Sequence, residues 1–293
     1  MHEDRLCEDS NWVATTDVDR RSLIAGGTFA AGFAAACQPV SATTVKTLDA
    51  GLVIETASIA GSDGFVFPAY VARPKTGKPA PVIVVVHEIF GVHEWIKDMC
   101  RRFAKAGYYA IAPDLFARHG DATKIADFKV LFQTIVAKAP DAQVLSDVDA
   151  TFAWAGSHGG DARGRGITGF CWGGRIVWLY AEYSASLDAG VAFYGRVVAD
   201  KTELQPANPI DLVGDLKAPV LGQYGGKDKG ITADDLAAMR GKLTELKKAP
   251  STITVYPEAD HGFMADYRPS YDPKAAAEAW KAALAWFRKY VKV

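Results

Sequence analysis

Residues 169–174 read Gly-Phe-Cys-Trp-Gly-Gly, with a short apolar run before them and a helix-length run, RIVWLYAEY, after them. Glycine two before and two after the central residue lets a strand reverse sharply into a helix without Cβ clashes, and leaves the central side chain presented at the carboxyl end of the strand. A turn of that kind needs a parallel sheet edge to stand on, so it restricts the chain to an α/β architecture. The plainer alternative for Cys171 is a small buried hydrophobe, the common fate of a free cysteine. Its setting between glycines at a strand-to-helix junction favours a nucleophile.

A thiol nucleophile needs a base and a group to orient that base, and on such a turn they follow in the order nucleophile, acid, histidine. Residues 219–225 (PVLGQYG) form a strand-like run, and Asp228 follows in a Gly-Gly-Lys-Asp loop; residues 252–256 (TITVY) form another, and His261 follows in Glu-Ala-Asp-His-Gly-Phe. The spacings, 57 residues from Cys171 to Asp228 and 33 on to His261, are each one βα unit or slightly more, which brings all three to one sheet edge. Asp260 and Glu258 compete for the acid role. Asp260 adjoins the histidine, which disfavours an in-line contact with its ring, so Asp228 is preferred.

Taken together, GFCWGGR, the later aspartate, His261-Gly262-Phe263 and the upstream His87-Glu88-Ile89-Phe90-Gly91 resemble the dienelactone hydrolase, or carboxymethylenebutenolidase, family from about residue 52 to the C-terminus. The resemblance implies an α/β-hydrolase fold and a Cys-His-Asp triad of Cys171, His261 and Asp228. It also implies an oxyanion hole from the backbone N–H groups of Trp172 and Ile89, with Glu88 near the thiol and Phe90 beside the substrate. The segment 112–118 (APDLFAR) matches the family segment whose arginine helps hold a substrate carboxylate, which here is Arg118. Where the family has a second arginine four residues after the histidine, this chain has Ala265. Arg268 either replaces it from another angle or braces the loop.

An unperturbed thiol, with a pKa of about 8.5, is only a few per cent thiolate at neutral pH, so the site must lower that pKa or remove the proton when substrate arrives. A neighbouring imidazolium and the start of the following helix would favour the anion. A carboxylate at Glu88 would oppose it by like-charge repulsion, and is expected to guard Cys171 until substrate arrives. His87-Glu88 does not begin a zinc motif, because the next histidine is His93, six residues on and beyond Gly91. No metal or cofactor is expected.

The N-terminus carries a different signal. Twin arginines, Arg20-Arg21, precede a charge-free Ala/Gly-rich segment, which resembles a Tat export signal. As a helix, the 14 residues 23–36 would reach about 21 Å, short of a hydrocarbon core of about 30 Å, so no permanent span is expected. Val40-Ser41-Ala42 offers a cleavage site and Cys37 a lipoprotein alternative, giving a leader over 1–42, a catalytic domain over 43–293 and a periplasmic or otherwise exported enzyme. In the body only Cys100 and Cys171 remain, and both are expected to be free thiols, since a bridge would consume the nucleophile. The body holds 30 basic and 28 acidic side chains, which argues against nucleic-acid binding. A monomer is expected.

The periodicity predicts a hairpin over 52–59 and 65–72 and further strands at 81–86, 108–112, 166–170, 189–194, 219–225 and 252–256. Helices are predicted over 94–106, 141–155, 175–183, 233–248 and 273–290, with another across 121–139 bordering the pocket. The fold class is therefore α/β, a mostly parallel twisted sheet of about eight strands with helices on both faces. The expected function is hydrolysis of small esters or lactones. The alternatives are a thiol hydrolase of aryl esters or thioesters on the same fold, or an exported binding protein with a degenerate pocket.

Overall fold

The computed structural model describes residues 46–292; the expected leader, with its twin arginines, Cys37 and cleavage site, lies outside the described residues. Eight strands form one sheet in the order β1-β2-β4-β3-β5-β6-β7-β8. They are β1 (Leu52–Ala60), β2 (Val66–Pro74), β3 (Ala80–Val86), β4 (Tyr109–Pro113), β5 (Gly160–Phe170), β6 (Ala189–Phe193), β7 (Val220–Gly225) and β8 (Thr252–Tyr256). β1 and β2 form an antiparallel hairpin, β2 joins β4 antiparallel, and every later pairing is parallel.

The helices are α1 (Glu94–Lys105), α2 (Phe128–Thr134), α3 (Asp141–Ser157), α4 (Trp172–Tyr183), α5 (Pro209–Leu212), α6 (Ala233–Glu245) and α7 (Pro273–Tyr290). All seven residues of β3 are buried, as a strand covered on both faces must be. α1 meets α7 through Phe103, whose ring lies 4.7 Å from Trp280, and α3 meets α4 through Phe152 and Tyr180 at 5.8 Å. Among the described residues, no helix is long and apolar enough to cross a membrane.

The helix predicted across 121–139 is broken instead into a short turn at Ala122–Lys124, then α2, then another turn at Val136–Lys138. Two aspartates explain the breaks. Asp121 accepts from the Thr123 N–H and Asp127 from the Val130 N–H, so each side chain caps a new start rather than letting one helix run through.

The chain passes from β3 to β4 on one side of the sheet and then to β5 on the other side of β3. The loops leaving β3 and β5 therefore diverge, opening the crevice in which open α/β sheets bind ligands. Glu88-Ile89 leaves one of these strands and Cys171 the other.

Candidate active site

Cys171 joins β5 to α4 with φ 56° and ψ −114°, a backbone conformation a side-chain-bearing residue adopts only when its surroundings enforce it. The enforcement comes from glycine. A Cβ on Gly169 would lie 2.2 Å from the Gly173 carbonyl oxygen, and one on Gly173 would lie 2.5 Å from the Val86 carbonyl oxygen. The Cys171 N–H donates to Phe193 O at 3.0 Å, tying the turn to β6. Its side chain is almost wholly buried, at the head of the crevice.

The acid that reaches the histidine is Asp228. His261 Nδ1 lies 2.7 Å from Asp228 Oδ2, while Asp228 Oδ1 accepts from the backbone N–H groups of Gly230 and Ile231 at 2.8 and 3.2 Å. One carboxylate oxygen thus holds its own loop and the other holds the ring, with the imidazole proton placed on Nδ1 and Nε2 left as the basic nitrogen. The competitors are occupied elsewhere. Asp260 accepts the His261 backbone N–H, and Glu258 pairs with Lys227 at the surface.

Ile89 and Trp172 stand at matched offsets. Val86 pairs with Gly169 across β3 and β5, and the two residues lie three positions beyond that pair on their respective strands. Trp172 is also the first residue of α4, where backbone N–H groups have no intrahelical acceptor. His87 shapes this region rather than binding a metal. Its Nε2 accepts from the Leu115 N–H at 3.1 Å, so Nδ1 donates to Glu88 O at 2.6 Å, and the ring stacks on Trp172 with centroids 5.4 Å apart. Burial lowers its pKa to about 4, keeping it neutral. No cluster that could hold a metal occurs among the described residues.

Glu88 is fully buried and engaged on both oxygens. Arg268 Nη2 donates to Oε1 at 2.9 Å, Tyr267 Oη donates to Oε2 at 2.5 Å, and His93 Nε2 lies 3.3 Å from Oε2. Burial alone would raise its pKa, but the Arg268 charge and these contacts outweigh it and hold the carboxyl at about 2. Glu88 is ionised, and its charge is largely offset by a buried guanidinium.

Phe90 stands on the wall of a 410 Å³ cavity together with Val92, His93, Lys97, Ala122 and Ile125. The segment after residue 121 borders this cavity as a turn and not as a continuous helix.

A profile of the dienelactone hydrolase family matches residues 67–291, more than half of the chain. The chain belongs to the dienelactone hydrolase family. It is 50% identical over 279 residues to a Methylorubrum extorquens protein named "Putative carboxymethylenebutenolidase", covering 94% of this chain and 95% of that protein. An Escherichia coli K12 protein of the same name is 49% identical over 260 residues, with 88% and 95% covered. A solved structure described as a "Putative Dienelactone Hydrolase" from Klebsiella pneumoniae superposes with a TM-score of 0.79 at 50% identity, covering 82% of this chain and 99% of that one. The protein is a hydrolase acting on esters or lactones.

Arg118, which the resemblance places at the substrate, and Arg268, expected either at the substrate or as a loop brace, both have protein partners in this dienelactone hydrolase family member. Arg118 directs its guanidinium to Asp63 in the β1–β2 turn, at 2.8 Å, and to Asp147 of α3, and lies over the Phe65 ring. Those bonds staple the hairpin to a helix. Arg268 has no exposed side-chain surface; besides Glu88, it donates from Nε to Tyr267 Oη at 3.0 Å and lies close against Gly262. Of its two expected roles, bracing the histidine loop against the β3 exit is the one these bonds serve.

Two residues beside the site escaped the sequence reading. Tyr194 and Arg196 follow β6, the strand next to β5, which leads into Cys171. The Tyr194 ring lies 5.1 Å from that of His261, and the Arg196 guanidinium interacts electrostatically with Cys171 and Asp228. The available signal was position alone, because any residue just past a parallel strand beside the elbow faces the same crevice.

Proposed function

We propose that this hydrolase cleaves small carboxylic esters or lactones through a covalent thioester on Cys171. The Cys171 sulfur attacks the carbonyl carbon, and the N–H groups of Ile89 and Trp172 receive the oxyanion. Two such donors each contribute about 3–4 kcal/mol, by analogy with donor deletions elsewhere. His261 takes the thiol proton and returns it to the leaving oxygen as the carbon–oxygen bond breaks. Water, deprotonated by the same ring, then cleaves the thioester and releases the acid and the free thiol. Asp228 holds the tautomer this requires. Arg268 and Tyr267 position Glu88 behind the site.

The observation that carries this reading is the His261–Asp228 pair at 2.7 Å, on the same sheet edge as a cysteine held at φ 56°. The test is turnover of p-nitrophenyl acetate and of a dienelactone by the wild type and by Cys171→Ala. Loss of both activities in the variant is the expected result; a variant as active as the wild type would remove the thiol from the mechanism. Asp228→Asn, which unsettles the tautomer, should lower kcat by roughly 10⁴-fold.

A further inference from the structure

Tyr194 combines two costly features. Its φ is 38°, unusual for a bulky side chain, and its fully buried hydroxyl has no hydrogen-bond partner among the described residues. A buried hydroxyl left without a partner is destabilising.

The fold holds it there firmly. The Tyr194 N–H donates to Gln223 O at 2.8 Å, binding the end of β6 to β7. The next residue, Gly195, is pressed against the first turn of α4, where a Cβ would lie 2.1 Å from the Gly174 carbonyl carbon and 2.3 Å from the Arg175 nitrogen. The ring packs against His261 and against Phe263, with centroids 5.5 Å apart in the second case. The backbone strain thus keeps one aromatic ring beside the catalytic histidine.

The surroundings decide which way the hydroxyl can act. Burial first, then the charges of Glu88, Tyr267 and Cys171, hold its pKa well above the usual tyrosine value, with Arg268 opposing. The group remains a neutral O–H at any working pH, a donor without an acceptor.

We propose that the Tyr194 hydroxyl is a catalytic hydrogen-bond donor whose acceptor is the substrate oxygen that gains negative charge during acyl transfer to Cys171. This rests on the ester or lactone hydrolase reading. The donor is prepared before substrate arrives, which suits stabilisation of a transition state more than ground-state binding.

The test is Tyr194→Phe, assayed for kcat and KM on p-nitrophenyl acetate, for the rate of Cys171 alkylation by iodoacetamide, and for thermal midpoint. The expected kcat falls at least tenfold, towards the roughly 10²–10³-fold loss seen on removing one oxyanion donor, with KM changed less than threefold. Alkylation should keep its wild-type rate, because the nucleophile is untouched. The thermal midpoint should equal or exceed that of the wild type, because a hydroxyl without a partner has been removed. An unchanged kcat would overturn the proposal. So would alkylation slowed in proportion to kcat, or a variant that melts earlier or fails to fold, since each gives the hydroxyl another role. If the wild type hydrolyses no ester or lactone, the hydrolase reading itself fails; if it does and Tyr194→Phe matches it, only the role of Tyr194 fails.

Discussion

Glu182 shows how a single buried group can set the pH response of a fold while taking no part in its chemistry. It lies on α4, 3% exposed, with neither carboxyl oxygen hydrogen-bonded among the described residues. Burial first, then Asp215 and Asp211, raise its pKa from 4.5 to about 9, against the opposing charge of Arg175. The folded protein therefore keeps a proton that the unfolded chain gives up. Below about pH 4.5 both states are protonated and the group contributes nothing; between there and about pH 9 stability falls as pH rises, and above that it levels off. Glu182→Gln should flatten this slope, so its denaturant midpoint should exceed that of the wild type by more at pH 8 than at pH 6. A parallel pair of pH curves would mean that the carboxyl ionises in the folded state.

Turning to elements, the elbow and the hairpin make separable predictions. Gly169→Ala should cost several kcal/mol and most of the activity, because its methyl would have to occupy the space of the Gly173 carbonyl. Arg118→Ala should cost about 2–4 kcal/mol by leaving Asp147 buried without its cation, with kcat for neutral esters close to wild type. Denaturant unfolding and steady-state assays check both; a KM rise confined to carboxylated substrates would return Arg118 to the substrate. These elements also mark what could be read in the sequence. β3 was legible because a strand buried on both faces reads as an unbroken apolar run, and each catalytic candidate stands just past a parallel strand, β3, β5, β7 or β8. The break after Asp121 was not, since a cap and an interior helical aspartate look alike until the backbone is seen. The ion pair of Arg118 was not legible for a similar reason: its partner Asp147 is 29 residues away, and nothing local announces the pair.

For the molecule as a whole, the divergence of the chain on either side of β3 gathers residues from β3, β5, β6, β7 and β8 at one edge, so the candidate site is a property of topology more than of any segment. We propose that the chain is exported and trimmed before it works there. Mass spectrometry of the secreted protein is expected to find Thr43 at its N-terminus; an intact Met1 in a cell-internal pool would count against export. Cys100 adds a practical consequence. It is sealed inside α1, where burial drives its thiol far from ionisation, while Cys171 stands at the crevice. Once any leader is gone, a thiol reagent applied to the native enzyme should react once per chain, so the equivalents consumed count the working molecules in a preparation.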